Sequence, residues 1–179
     1  EQIQSFGDDE SPEAYTRLVD RLLASPHYGE RWGRHWLDVV RFAESITLRG
    51  FLFPEAWRYR DYVVGTLNDD RPFDRFAQEQ IAGDLLPATS LEDRQRNVVA
   101  TTFLTLGNNN LEDQDKDKLR MDVVDEQLET ISRGFLAQTV GCARCHDHKF
   151  DPIPTRDSVS YTHLRAHETD SYLVCRLLL

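Results

Sequence analysis

Apolar residues return along this chain every three or four positions, the period of one face of an α-helix. Tyr15, Leu18 and Leu22 form the first stripe, opened by Ser11 as N-cap with Pro12 at the first helical position and closed by Ser25-Pro26. Trp32, Trp36, Val39 and Ala43 form the second, with Arg31, Arg34, Asp38 and Arg41 mostly off that face. Ser45 to Phe53 lack a helical period and are expected to form a loop. Pro54 restarts a helix through Trp57, Val64 and Leu67, and Pro72 starts another through Phe73, Phe76 and Ile81. Ser90 with Asp93 has capping-box spacing, with Asp in place of the usual Glu or Gln. The helix it opens should bury Val99, Thr102, Phe103 and Leu106 and stop at Gly107. Beyond a polar loop from Asn108 to Asp117, a long helix is expected from Lys118 towards Val140, with Val124, Leu128, Ile131 and Phe135 inside. Nowhere do β-branched or aromatic residues alternate with polar ones for long enough to make a firm strand. The pattern predicts one all-α, multi-helix domain with at least five helices and at most a token strand pair.

Composition sharpens that picture. A length of 179 residues suits one domain, and 40% hydrophobic with 29% charged residues suits a packed one. Thirty-one acidic against 21 basic residues leave a net charge of −10, which argues against nucleic acid or an anionic membrane surface as partner. No apolar run approaches the roughly 18 residues of a membrane span. The start at Glu1, with no leader-like stretch, reads as a processed form or a fragment.

From Val159 the sequence VSYTHLRAHETDSYLVCRLLL matches one translated frame of a transposon-type sequencing adapter, uninterrupted through Thr169. The expected division is therefore a native helical domain over residues 1–157 and a non-native tail over 158–179. Setting the tail aside removes Cys175, His163 and His167 and leaves the net charge unchanged. Cys142, Cys145, His27, His35, His146 and His148 remain, and three of them share one pentapeptide.

That pentapeptide, Cys142-Ala143-Arg144-Cys145-His146, has the spacing of c-type haem attachment. Two thiols a helical turn apart can each add across a haem vinyl group, and the adjacent imidazole can turn beneath the iron as axial ligand. Haem c is the first expectation, with Cys142 and Cys145 as attachment points and His146 on the iron. Two other chemistries stay open. A non-haem metal could use Cys142, Cys145, His146 and His148, with Asp147 or Asp151, as Lewis acid or water activator. A Cys142–Cys145 disulfide could serve a purely structural module. Against zinc, there is no second cysteine pair and no His-x3-5-His spacing; against a thioredoxin-like site, there is no βαβ pattern. Only eleven residues of the native part follow His146, so this is not a standard cytochrome c fold.

The stretches LVDRLLASPHYGERWGRHWLDVVRFAES, WRYRDYV, FDRFAQEQIAGDLLP and LRMDVVDEQLETISRGFLAQTVGCARCHDHKFDPIPTRD resemble the second planctomycete cytochrome C family, a domain of unknown function. The resemblance runs from about Tyr15 to Asp157. It implies an extracytoplasmic, haem-linked module within a large exported protein, with neighbouring domains that include a cytochrome c domain. The family carries no established enzymatic activity to transfer, so the resemblance leaves open whether the chain is an enzyme. Members continue beyond Asp157 with a tyrosine-rich segment, so truncation is expected here.

A six-coordinate haem needs a second ligand. Met121, the only methionine, would lie about 30 Å from the motif along an unbroken helix at about 1.5 Å per residue. His148 is too close in sequence to reach the opposite face, and His27, at a helix start, should be exposed. His35, flanked by Trp32 and Trp36 in surroundings expected to exclude water, is the remaining candidate. Asp122, Asp125, Glu126 and Glu129 crowd one helix and read as a solvated acidic face, with Glu129 paired to Arg133. Arg58 and Arg60 could meet haem propionates, though a local Arg58–Asp61 pair is the simpler expectation. The tryptophan stripe and a solvated His148 are likewise the plain readings.

Overall fold

The computed structural model describes residues 2–46, 51–106 and 114–158. Within them α1 (Gln2–Gly7), α2 (Ala14–Leu23), α3 (His27–Val39), α4 (Trp57–Asn68), α5 (Phe73–Ala82), α6 (Leu91–Ala100) and α7 (Lys116–Ile131) follow one another, with 3-10 turns at Gly83–Leu85, Thr101–Leu104 and Gly141–Arg144. The stretch read as a loop holds two short strands, β1 (Ser45–Ile46) and β2 (Phe51–Leu52), antiparallel with Ser45 opposite Leu52. The chain forms a single all-α domain with a token strand pair. Gly107, most of the acidic loop and the segment from Val159 onward, with its reading as a foreign tail, lie outside the described residues.

The centre of the fold is α3 against α4. Proline at position 26 precedes α3 and offers no side-chain cap, so the free amide of Gly29 donates instead to Asn68 Oδ1 at 2.7 Å, from the end of α4. Asn68 completes the link by donating to the Pro26 carbonyl at 3.0 Å. The helices meet so closely that a Cβ on Gly29 would stand 2.4 Å from the Val64 carbonyl oxygen. That contact corrects the predicted stripe of α3. Its inward face runs through Gly29, Gly33, Trp36 and Val40, while Trp32 is 53% exposed. Likewise α4 buries Tyr59, Tyr62, Val63 and Thr66 rather than Trp57, whose ring stays at the surface.

The α5 stripe also differs from its prediction, because Phe76 is buried with Glu79 and Gln80 while Phe73 and Ile81 are exposed. Glu79 and Gln80 have no exposed surface at all. Such burial requires partners. Glu79 accepts from Arg71 at 2.8 Å, Arg75 at 3.0 Å and the Tyr62 hydroxyl at 3.0 Å. Gln80 Oε1 accepts from the Tyr59 hydroxyl and from Trp36 Nε1 at 3.2 Å. Around this network pack Val40, Ala100, Phe103 and Leu106, with the Trp36 ring 5.0 Å from Phe76 and 5.4 Å from Phe135.

Capping was partly legible. Ser90 accepts from the Asp93 amide at 3.0 Å, as its spacing predicts. Ser11 is no cap, because α2 begins at Ala14 and the Ser11 hydroxyl accepts from Arg17 at 2.6 Å.

Candidate functional site: the Cys-x-x-Cys-His turn

The sequence pattern carried the last helix to Val140, but α7 stops at Ile131 and passes into one π-helical turn at Ser132–Leu136. Ala137 is left-handed at φ 54, and the Gln138 amide closes the reversal on the Ser132 carbonyl at 3.1 Å. The cause is tertiary. The π turn packs Phe135 against Trp36 and Phe103, and places Gly134 where a Cβ would lie 3.5 Å from the Trp36 ring. The chain therefore doubles back, and the cysteine-bearing turn lies along α7 instead of beyond it.

The acidic residues of α7 fasten it there. Glu129 accepts from the Gly141 amide at 2.7 Å and from Arg133 at 2.6 Å. Arg144, inside the motif, reaches Asp122 at 2.7 Å and Asp125 at 2.8 Å, and the Asp122 hydrogen bond leads the interactions that raise its pKa. Glu126 faces away and pairs with Arg41 at the end of α3. The Glu129–Arg133 pair is the expected one, while Asp122, Asp125 and Glu129 clamp the motif rather than forming a solvated surface. Ala143, between the cysteines, is fully buried and anchors the turn.

With the turn held from below, its reactive atoms face outward. Cys142 and Cys145 are free thiols, both exposed. His146 is exposed too, with Nδ1 2.8 Å from the carbonyl oxygen of Asp147. A carbonyl can only accept, so Nδ1 carries a proton, and in the neutral ring Nε2 keeps its lone pair. This is the tautomer of an imidazole that ligates through Nε2.

His148 is set the other way. Its side chain is 8% exposed, and Nδ1 accepts from the amides of Phe150 at 3.3 Å and Asp151 at 2.9 Å. Its own amide donates to the Ile153 carbonyl at 2.9 Å. Two donors aimed at Nδ1 place a neutral ring's proton on Nε2, where a metal would have to bind. The reading of His148 as a solvated residue is therefore corrected: it is the post of the loop. Asp147 is similarly engaged, accepting from the Thr155 amide at 2.8 Å. Among the described residues, no three His, Cys, Asp or Glu side chains are grouped as metal ligands.

Two further expectations change. His35 is exposed on α3 beside the exposed Trp32 ring, 5.5 Å between centroids, while Trp36 turns into the core. Successive residues of a helix point about 100° apart, so flanking tryptophans do not shield it. The distance argument against Met121 also fails, because the reversal at Ser132–Ala137 brings Arg144 back to Asp122, the next residue after Met121. Arg58 pairs with Glu55 and lies over the Trp57 ring at 4.8 Å, whereas Asp61 pairs with Arg60 at 3.0 Å. Arg60 lines an open cleft of about 590 Å3 between α3 and α4, with Arg34, Leu37, Phe42 and Val64.

A family model described as a protein of unknown function (DUF1549), PSCyt2, matches residues 1–167. The chain belongs to this family. The match extends into the segment that reads as adapter. Neither curated proteins nor solved structures gave a match. For this DUF1549 domain the residues present fit covalent haem on three counts: paired exposed thiols on one turn, an adjacent histidine in the ligating tautomer, and a rigid support. No helix among the described residues is long and apolar enough to cross a membrane.

Proposed function

We propose that this chain is a haem c redox module of a larger exported protein, acting outside the cytoplasm beside neighbouring domains that include a cytochrome c domain. The observation that carries the reading is an exposed His146, its Nδ1 on the Asp147 carbonyl, next to two free, exposed thiols on one clamped turn. Cys142 and Cys145 would hold the haem by thioethers, each S–H adding across a vinyl group so that sulfur and hydrogen both end on the former vinyl carbons. His146 Nε2 would be the proximal ligand, held in orientation by the Asp147 carbonyl. The bound group supplies one-electron transfer. The chain contributes attachment and orientation, with Arg144 fastened to Asp122 and Asp125 of α7.

The test is the absorption spectrum of protein matured in an oxidising compartment with haem-attachment machinery. A Soret band that persists after denaturation is expected, and a Cys142→Ser, Cys145→Ser double variant should lose it. Colourless protein containing zinc would favour a non-haem metal site. Colourless, metal-free protein whose mobility shifts on reduction would establish the Cys142–Cys145 disulfide instead, and either result overturns the haem reading.

A further inference from the structure

We infer that His148 is a positioning residue for His146, acting through the Asp147 peptide. This rests on the reading of His146 Nε2 as the ligating atom and gives that reading its structural cause. The only group bonded to the His146 ring among the described contacts is the Asp147 carbonyl, 2.8 Å from Nδ1. That carbonyl leads directly into His148, so its direction is set by how residue 148 is held.

His148 is held at both backbone and ring. Its amide donates to the Ile153 carbonyl at 2.9 Å, and its Nδ1 takes the Phe150 and Asp151 amides at 3.3 and 2.9 Å. On the other side of the same peptide, the Asp147 carboxylate takes the Thr155 amide at 2.8 Å. The Asp147–His148 peptide is therefore fixed at both ends by side chains that fold the loop back on itself. The Phe150 side chain, by contrast, is 82% exposed, and only its amide takes part in that fixation. The two histidines thus divide the work: the His148 ring accepts from the backbone to shape the loop, and the His146 ring donates to the backbone through Nδ1.

The test uses two variants of the full chain. His148→Leu removes the acceptor, and His148→Asn keeps an oxygen near the position of Nδ1. Nitrogen-15 NMR of the imidazoles, above neutral pH and without haem, reads the tautomer directly. Wild type should show His146 with its proton on Nδ1; His148→Leu should give a mixed tautomer; His148→Asn should restore the wild-type state. Amide exchange at Phe150 and Asp151 should quicken about tenfold in His148→Leu, the loss expected for one hydrogen bond near the upper end of its usual strength. A His146 tautomer unchanged in a folded His148→Leu protein would overturn the proposal, whether or not haem binds. Failure of His148→Asn to restore the tautomer would overturn it too, since any bulky loss would then do the same. If the tautomers behave as expected but the protein never takes covalent haem, the positioning role stands and the haem reading falls.

Discussion

Polar side chains around α5 and polar side chains around the cysteine turn are used in opposite ways. Glu79 and Gln80 bond to other side chains, Arg71, Arg75, Tyr62, Tyr59 and Trp36, and tie α3, α4 and α5 together from inside. Glu129, Asp147 and His148 bond to the backbone amides of Gly141, Thr155, Phe150 and Asp151, and shape a loop from outside. In the first region the Glu79 carboxylate and the Gln80 carbonyl oxygen are taken up by neighbouring side chains. In the second, the shaping groups leave Cys142, Cys145 and His146 Nε2 uncommitted. Stability and reactivity are thereby placed on different elements, with α7 and its carboxylates as the bridge between them.

If that division is real, Arg71→Met should be the most damaging change. Glu79 would keep Arg75 and Tyr62 but lose its most closely held partner in a fully buried position. Breaking a buried ion pair in this way costs about 3 kcal/mol. Urea unfolding should show that loss, while alkylation of Cys142 and Cys145 in the native protein stays at the wild-type rate. A loss below about 1 kcal/mol would mean that the carboxylate finds other compensation.

The same core should respond to alkali. Burial raises the Tyr59 pKa, and burial together with the nearby Glu79 carboxylate raises that of Tyr62. The folded state therefore holds these protons after the unfolded chain has released them. That stabilisation is fully present below the ordinary tyrosine pKa of about 10 and is lost as pH rises above it. Each tyrosine should remove up to about 1.4 kcal/mol per pH unit there. Tyr62→Phe should flatten the alkaline limb of the stability profile, and an identical limb would contradict the coupling.

Glu129→Ala examines the bridge with a smaller effect. The Gly141 amide and Arg133 turn to water, costing about 1 kcal/mol at this exposed site. Exchange at Gly141 and alkylation of the cysteines should both quicken, with little change in the midpoint for unfolding the core. Equal changes in both regions would show that the clamp belongs to the core after all.

What the sequence revealed depended on how local each cause was. The Ser90 cap, the helix starts after Pro26 and Pro72, and the pentapeptide spacing are each written within a few residues, and the structure keeps the first two where expected. The inward face of α3 was misplaced because two glycines, invisible to a hydrophobic pattern, set the contact with α4. Glu79 and Gln80 were missed for a related reason: at α5 the buried stripe is largely polar. The break after Ile131 answers to Trp36 and Phe103, about a hundred and about thirty residues upstream, and no local signal announces it. The opposed settings of His146 and His148 depend on which backbone groups the folded loop presents, which residue type alone does not encode.

The most direct test of the account is the mass of the denatured chain after maturation with haem-attachment machinery. The account predicts the mass of the polypeptide plus one haem, with the added mass mapping to the peptide that contains Cys142 and Cys145 and absent from a Cys142→Ser, Cys145→Ser double variant. A wild-type chain at the bare polypeptide mass, from cells that load a control cytochrome c, would contradict it.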